Sequence, residues 1–498
     1  MIQRFQFKRV LPSLIVVVII LGLGLASYRF MGQESFVRTA LSGLTLGALY
    51  FMVAAGLTII FGLMDVLNFA HGAMFMTGAY MGWQFYANPT FLFGILPLAL
   101  AFVTGLATTS LWLPVVIKWQ VPESWTKRIN TTLIIVGLAL VVVGFQKFDV
   151  LGLAETALVP VMHAGNPLAE ASPQETLAVF WSRPVLLFLS GLLFAIAAAR
   201  PGDKSQHVTN AKPTGAWIRV AGLVVVTAAS VLLREPASIA VLKMNADIRF
   251  FLALIVGTGI GAGLGVLIEI SLIRPLYARP FYIVLMTLGL GYVLRETVQL
   301  LWDPVAYAME RPPLFSQAGE AENIAAWFTG HNLTIDIVGV TFPSYRLFII
   351  VLGGVMLLGL FLLMRYSRLG MIIRAGVQDR NMVEALGINV KAVFSVVFAI
   401  GVGLAALGGI GAAPFVPVQP NMGDVYQLQG FITVVIGGMG SYLGAGVGAL
   451  LLGMARAFGD FLALKFSLSP AIAEASTVIV MIIVLLVRPA GLLGKKDE

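Results

Sequence analysis

Long apolar runs separated by short polar, basic breaks recur along almost the whole of this chain. A helix needs ~20 mostly apolar residues to cross a bilayer. Fourteen runs approach that length: Leu11–Ser27, Arg38–Phe61, Val66–Ala87, Phe91–Ile117, Asn130–Leu153, Pro184–Ala199, Trp217–Leu233, Phe250–Ile273, Phe281–Leu301, Leu347–Met364, Ala392–Ala413, Gln427–Gly437, Leu443–Ala463 and Pro470–Val487. Val66–Ala87 and Gln427–Gly437 are the short or polar members of the set. The pattern predicts an all-α fold, a polytopic transmembrane helical bundle of about 14 spans. Glycine-dense stretches within it predict broken or re-entrant helices, which a membrane tolerates only under protein or beside a water-filled cavity. Pro114–Asn130 is a polar, basic break, and Ala154–Arg183 and Pro201–Ala216 are polar loops inside an otherwise apolar region.

Charge sets the orientation. With the N-terminus inside and the chain alternating, 20 of the 32 Lys and Arg fall in inside loops or at the inner ends of spans, nine fall in outside loops or at outer ends, and Lys147, Arg295 and Arg456 lie within spans. The bias predicts an N-in/C-in topology. Asp303–Tyr345, with Asp303, Glu310, Glu320, Glu322 and Asp336 against Arg311, then reads as an outer loop. The start of the chain has a basic n-region, an apolar core and a Gly24-Leu25-Ala26 small-x-small site. It reads either as a signal peptide or as an uncleaved first helix; the long apolar core favours the second.

Composition narrows the class. The 498 residues are 59% hydrophobic and 11% charged, against roughly 45–50% and about 25% in soluble domains. Mean hydropathy is +0.93. There is no cysteine, so disulfides, thiolate metal sites and a catalytic cysteine are excluded. A net charge of +8 reads as topology signal rather than a nucleic-acid surface, because the basic residues sit in short loops between apolar runs.

Several motifs stand out, each with a plain structural reading beside the functional one. Gly43 and Gly47 form Gly-x-x-x-Gly, which is usually close helix packing. Asp65-Val66-Leu67-Asn68-Phe69-Ala70-His71-Gly72 sets three polar side chains at the junction of two apolar runs. Asp65 and Asn68 suit helix caps, whereas polar groups at membrane depth line cavities; with no second histidine nearby, a metal site is not expected. Gly257–Gly265 superficially matches a phosphate loop but follows no strand and lies mid-span, so packing is the reading. No G-x-x-x-x-G-K-[ST] occurs, so the chain has no visible means of hydrolysing ATP. Arg295 and Glu296 interrupt a span and read as interfacial. The loop 365–391 is long for a helix connection; Val377, Met382, Val383, Leu386 and Ile388 predict a short helix with one apolar side, ended at Gly387. Such a helix either docks on a partner or lies on the membrane. Val434–Gly446 holds glycines dense enough to break a span.

Taken in order, these segments resemble the inner-membrane permease subunits of branched-chain amino acid ABC transporters. The matching pieces are GLTLGALYFMVAAGLTIIFGLMDVLNFAHG, Gly78–Tyr80, Arg274-Pro275, RYSRLG, RAGVQDRNMVEALGIN, GGMGSYLGAGVGA and the closing Arg488–Gly494. The resemblance covers about Ser35–Ala87 and Phe250–Gly494. It implies an ABC importer permease fold, no catalytic residues and no cofactor on this chain, with ATP and Mg used by partner subunits. It also implies a second permease subunit, two cytoplasmic ATPase subunits, a periplasmic solute-binding protein and a place among the lipids of the inner (plasma) membrane. In that frame 1–34 is an N-terminal membrane helix, 35–87 the first part of the core, 88–249 an inserted region with about four extra spans, and 250–498 the rest of the core. Arg374–Ile388 resembles the family's ATPase-coupling segment, which implies roles for Arg374, Asp379, Arg380, Glu384, Ala385, Leu386 and Gly387. Asn68, His71, Thr287, Gly437, Gly438 and Gly440 are the translocation-pathway candidates. The rival within the family is a urea or short-amide importer. From other classes, an ion-coupled secondary transporter needs ionisable residues deep in its spans, of which there are few, and a membrane enzyme needs a convergent catalytic cluster, which the sequence does not show.

Overall fold

A computed structural model describes residues 28–109, 111–112, 123–146, 150–155, 177–198 and 213–494. The expected first span Leu11–Ser27, with its signal-peptide alternative, lies outside them, as does most of the Ala154–Arg183 loop. The described helices are, in chain order, α1 (Gln33–Met64), α2 (His71–Ala87), α3 (Thr90–Ala107), α4 (Glu123–Phe145), α5 (Val150–Glu155), α6 (Leu177–Ala198), α7 (Pro213–Leu232), α8 (Arg234–Leu242), α9 (Ala246–Ile268), α10 (Pro280–Trp302), α11 (Ile324–Gly330), α12 (Ser344–Tyr366), α13 (Arg368–Gln378), α14 (Arg380–Ala385), α15 (Val390–Ala412), α16 (Met422–Gly437), α17 (Tyr442–Lys465) and α18 (Ala471–Val487). Among the described residues nine helices are long and apolar enough to cross a membrane, or ten if α7 and α8, bent by 61°, count as one span. The remaining expected spans are shorter: α2 and α18 have 17 residues and α16 has 16. At ~1.5 Å per residue they reach ~25 Å, short of a ~30 Å hydrocarbon core.

The described residues divide into two compact units, one formed by those up to Trp83 with those from Ala246 onward, the other by those between Gln84 and Asn245. In the first, α1 is apolar on every side and buried along most of its length, as a helix without a polar face must be. It packs along α17 through small residues: a Cβ added at Gly453 meets the Gly43 carbonyl and the Gly47 backbone. The Gly-x-x-x-Gly is therefore a packing seam, the form of adhesion open to helices surrounded by equally apolar lipid. α9 packs on α15 the same way. Gly257, Gly261 and Gly265, one helical row, lie against Ile410, Ala406 and Val402, while Gly259 and Gly263 face open space. Beyond Ile268, α9 continues as a π turn, Glu269–Ile273, and a 3₁₀ turn, Arg274–Leu276.

The 303–343 segment is not the plain loop that hydropathy suggests. It holds strands β1 (Gln317–Ala321), β2 (Asn332–Asp336) and β3 (Thr341–Pro343) in the order β1-β2-β3, β1 parallel and β3 antiparallel to β2. Asn323 caps α11 by accepting from the Ala326 amide. Tyr307 pairs with Val418 as an isolated bridge and stacks on Trp83 at 4.6 Å.

In the second unit α3 and α6 cross with Gly105 and Gly191 facing each other's backbone. Thr104 and Thr227 hydroxyls bond at 2.9 Å, and Ser190 donates to the Gly137 carbonyl at 2.8 Å. Pro184, expected to open a span, lies inside α6, which begins at Leu177. α4 begins at Glu123, so the last part of the expected Pro114–Asn130 break is helical. α4 exposes Ile135, Leu138 and Val142, side chains suited to lipid.

The two glycine rows of α9 make a controlled comparison. Gly261→Leu drives a side chain into Ala406 and the Val402 carbonyl and is expected to destabilise by about 3 kcal/mol. Gly263→Leu is expected to leave the melting temperature of the detergent-solubilised chain unchanged. Equal effects from the two would refute the packing assignment.

Candidate functional site

α1 ends where Asp65 adopts left-handed backbone (φ 52°), its amide bonding the Phe61 carbonyl at 2.8 Å. The next residues are not helical until His71 opens α2. A backbone break inside a bilayer needs partners for its amides, and side chains supply them. The Phe69 amide donates to Thr287 Oγ1 at 3.1 Å, the Ala70 amide to Asn68 Oδ1 at 3.0 Å and the Gly72 amide to Gln427 Oε1 at 2.8 Å. Asn68, His71 and Thr287 are all fully or almost fully buried. The structure thus brings these three expected residues to one place.

His71 Nε2 lies 3.1 Å from the Val53 carbonyl. A carbonyl only accepts, so Nε2 carries the proton and Nδ1 is left a bare acceptor; it has no hydrogen-bond partner among the described residues. The ring fits because Gly56 lies beneath it: a Cβ there meets the imidazole and the Gly401 carbonyl.

α16 begins beside α2. The Gly72 and Gly423 backbones are in contact, Phe75 stacks on Tyr426 at 4.7 Å and Phe69 packs on Phe431 at 5.0 Å. The amino ends of two short helices therefore lie together in the interior, each carrying a partial positive charge. Arg295 of α10 bonds Asp424 in the first turn of α16 at 3.1 Å and lies 3.6 Å from Glu296. Sequence reasoning found Arg295 but neither Asp424 nor Gln427; polar residues at this density in a 16-residue apolar helix were the available signal.

Gly437, Gly438 and Gly440 occupy a different place. Gly437 ends α16 against the Gly444 backbone, and Gly438, at φ 100°, packs on Gly494 and Ala490. The Leu492 and Leu493 amides donate to the carbonyls of Ile436 and Gly437 at 2.8 and 2.9 Å. These glycines form the dock of the closing Arg-Pro-Ala-Gly-Leu-Leu-Gly segment, and Gly440 approaches Gly62 near the end of α1.

The 365–391 segment forms two helices, α13 and α14, instead of one. Ser367 caps α13 by accepting from the Gly370 amide at 2.9 Å. Asp379 Oδ1 accepts from the Met382 amide at 3.1 Å, and Gly387, at φ 81°, closes α14 while the Ile388 amide reaches back to the Val383 carbonyl. That is the left-handed closure for which glycine is suited. Ile388 and the buried Val383, Val390 and Phe394 pack with Leu63, Met64 and Tyr277. Arg374, Asp379, Glu384, Ala385, Leu386 and Gly387 are exposed, and Arg380 opens α14. Met371, Val377, Met382 and Leu386 are apolar yet exposed, Leu386 at 70%.

One further cluster went unforeseen. Glu269, in the π turn, is completely buried. Arg274 grips it through Nη2 at 2.9 Å and Nε at 3.2 Å, Ser395 donates to its Oε2 at 2.5 Å, and the Tyr277 hydroxyl donates to its Oε1. Four donors make the burial of a carboxylate tolerable. Ser395 belongs to α15 and Tyr277 packs edge-on against Phe394 at 5.2 Å, so this ion cluster adjoins the seat of α14.

The fold and these interrupted helices define a polytopic helical membrane permease. Residues 39–202 and 214–487 match the family of branched-chain amino acid transport system permease components, and the chain belongs to that family. It is 32% identical over 215 residues to the high-affinity branched-chain amino acid transport system permease protein LivH of Escherichia coli (strain K12), covering 42% of this chain and 63% of LivH. It is 34% identical over 161 residues to BraD of Pseudomonas aeruginosa, a permease protein of the same description, covering 32% of this chain and 50% of BraD. Ribose import permease protein RbsC of Escherichia coli (strain K12) is 28% identical over 225 residues, 44% of this chain and 62% of RbsC. The chain thus spans between half and two-thirds of the length of these relatives. No solved structure matches it.

Thr287→Val keeps the shape of the side chain but leaves the Phe69 amide without its acceptor. It is expected to lower stability by about 1–3 kcal/mol and to speed hydrogen exchange at Phe69, whereas Thr287→Ser retains both. Unaltered exchange in the valine variant would show that the hydroxyl does not hold the break.

Proposed function

We propose that the chain is the permease subunit of an ATP-driven importer for branched-chain or related small hydrophobic amino acids, working by alternating access. The observation that supports this reading most directly is the set of three amides within four residues, at Phe69, Ala70 and Gly72, each held by a replaceable side-chain oxygen at the joined amino ends of α2 and α16. An amino acid carboxylate offers the same acceptor chemistry with a full negative charge. Helix amino ends at an interrupted span are suited to such a group. When the break opens, the carboxylate exchanges for the oxygens of Asn68 and Gln427, and the surrounding apolar residues receive an aliphatic side chain. In this reading the inner membrane holds the chain with N- and C-termini inside, and the chain itself binds no cofactor. A second permease subunit completes the pathway, and a periplasmic binding protein delivers the solute.

The energy comes from two separate ATPase subunits. The exposed apolar side chains of α13 and α14 offer them a docking surface of the kind an amphipathic helix gives to a groove. Val383 and Ile388 fasten that surface to α1 and α15. A push on α14 reaches the end of α1, which is the residue before the break, and through Phe394 and Tyr277 the Glu269 cluster. The family similarity to LivH and BraD supports the amino acid as cargo, and the more distant similarity to a ribose permease makes cargo identity the point to measure.

Purified with its partners and reconstituted in liposomes, the chain is expected to take up leucine only with ATP and a binding protein. Leucine transport by the chain alone, without ATP, would overturn the reading. Leu386→Ala is expected to cut uptake about tenfold, the effect of losing about 1.4 kcal/mol at an interface anchor, while the variant still folds. Uptake equal to wild type would remove α14 from the coupling surface. Glu269→Gln leaves Arg274 short of its counter-charge. It is expected to lower the ratio of leucine imported to ATP hydrolysed, and an unchanged ratio would show the cluster to be structural only.

A further inference from the structure

Between α9 and α15 runs a cleft of about 730 Å³. Its two ends differ. One is lined by Arg274, Asn389 and Lys391, and the rest by side chains such as Val266, Ala399 and Leu404. Along α15 it extends from Asn389 to Leu404, ~22 Å at ~1.5 Å per residue. That exceeds the ~15 Å depth of one leaflet of a ~30 Å hydrocarbon core. The cleft exists because small residues, Ala262, Ala399 and Gly403, line it where larger ones would close the gap.

The charges at the polar end do not cancel. Arg274 is matched by Glu269, with Tyr277 and Ser395 spending their hydroxyl protons on the same carboxylate. Lys391 is exposed and has no acidic partner among the described residues. Asn389 caps the first turn of α15, bonding the Ala392 amide at 3.1 Å, so the positive end of a 23-residue helix dipole adds to the lysine. The site therefore presents one uncompensated cation at the head of an apolar trough. A sugar or an amino acid fits the head but not the trough; a plain hydrocarbon fits the trough but not the head.

We infer that this cleft binds one anionic phospholipid, its phosphate at Lys391 and Arg274 and an acyl chain along Val266, Ala399 and Leu404. Basic pockets between membrane helices take such headgroups. The lipid would lie over the Arg274–Glu269–Ser395 cluster and so join α9 to α15 beside the α14 seat. This inference is independent of what the permease carries.

The test uses the full chain in nanodiscs of phosphatidylcholine with one quarter phosphatidylglycerol. Because the chain has no cysteine, Ala399→Cys carries a single benzophenone probe into the trough. Illumination followed by mass analysis is expected to yield a phospholipid adduct in which the ratio of phosphatidylglycerol to phosphatidylcholine is about fivefold above the bulk ratio, the effect of one basic side chain at a membrane surface. In Lys391→Gln carrying the same probe, the enrichment is expected to fall to about the bulk ratio with the total lipid adduct unchanged, which also shows that the variant is folded. Adducts in the bulk lipid ratio with wild-type Lys391, or an enrichment that survives Lys391→Gln, would overturn the headgroup assignment. A cross-link to a second protein chain would show the trough to be a subunit contact and overturn the proposal outright.

Discussion

A backbone amide inside a bilayer has no water to turn to, and the architecture of this permease follows from that constraint. At two places where a helix stops within the bundle, other groups of the chain take over its hydrogen bonds. At the end of α1 the substitutes are the side chains of Asn68, Thr287 and Gln427. At the end of α16 they are backbone groups of the closing segment, whose Leu492 and Leu493 amides meet Ile436 and Gly437. The two solutions differ in kind. Backbone pairing builds a fixed joint; side-chain oxygens can rotate away and be replaced, which is why the proposed pathway is set at the first break and not at the second.

The same economy explains the glycine content. A bilayer gives helices no hydrophobic reason to associate, so contact depends on how closely backbones approach. The α1–α17 and α9–α15 seams are built on that principle, and Gly56 leaves the space in which the His71 ring sits. Small residues thus do two jobs here: they hold helices together, and between α9 and α15 they line an open cleft.

Much of this was legible in the amino-acid order. Hydropathy alone located nearly every long helix, because ~20 apolar residues have few other uses. Asp65–Gly72 stood out because three polar side chains interrupt an apolar run, and Thr287, 218 positions away from Phe69, proved to belong with it. The partners that went unseen share a physical cause. Gln427 meets Gly72 across 355 positions and Ser395 meets Glu269 across 126; a single polar residue in a helix gives no local sign of a distant mate. The glycines at 437–440 predicted a break correctly, but what covers a break is a tertiary matter, and here it is the end of the chain. The three strands near residues 317–343 went unseen because they are only three to five residues long; Asn332–Asp336 does alternate polar and apolar, but over too few residues to stand out from a loop.

The π turn at Glu269–Ile273 changes the angular phase of its helix. An α-helix turns through ~100° per residue, and the wider i→i+5 loop accommodates one residue more per turn than the surrounding spiral. Residues beyond it therefore face a direction they would not face on an uninterrupted helix. Before the turn, the row Gly257–Gly261–Gly265 is aimed at α15; after it, Tyr277 is aimed at Phe394 and the base of α14. One helix addresses two levels of the same neighbour, the interior of α15 and its first turns beside the seat of α14, because a single surplus residue advances its face between them. Loss of that residue would leave the fold's inventory of helices intact and yet point one end of α9 at the wrong listener.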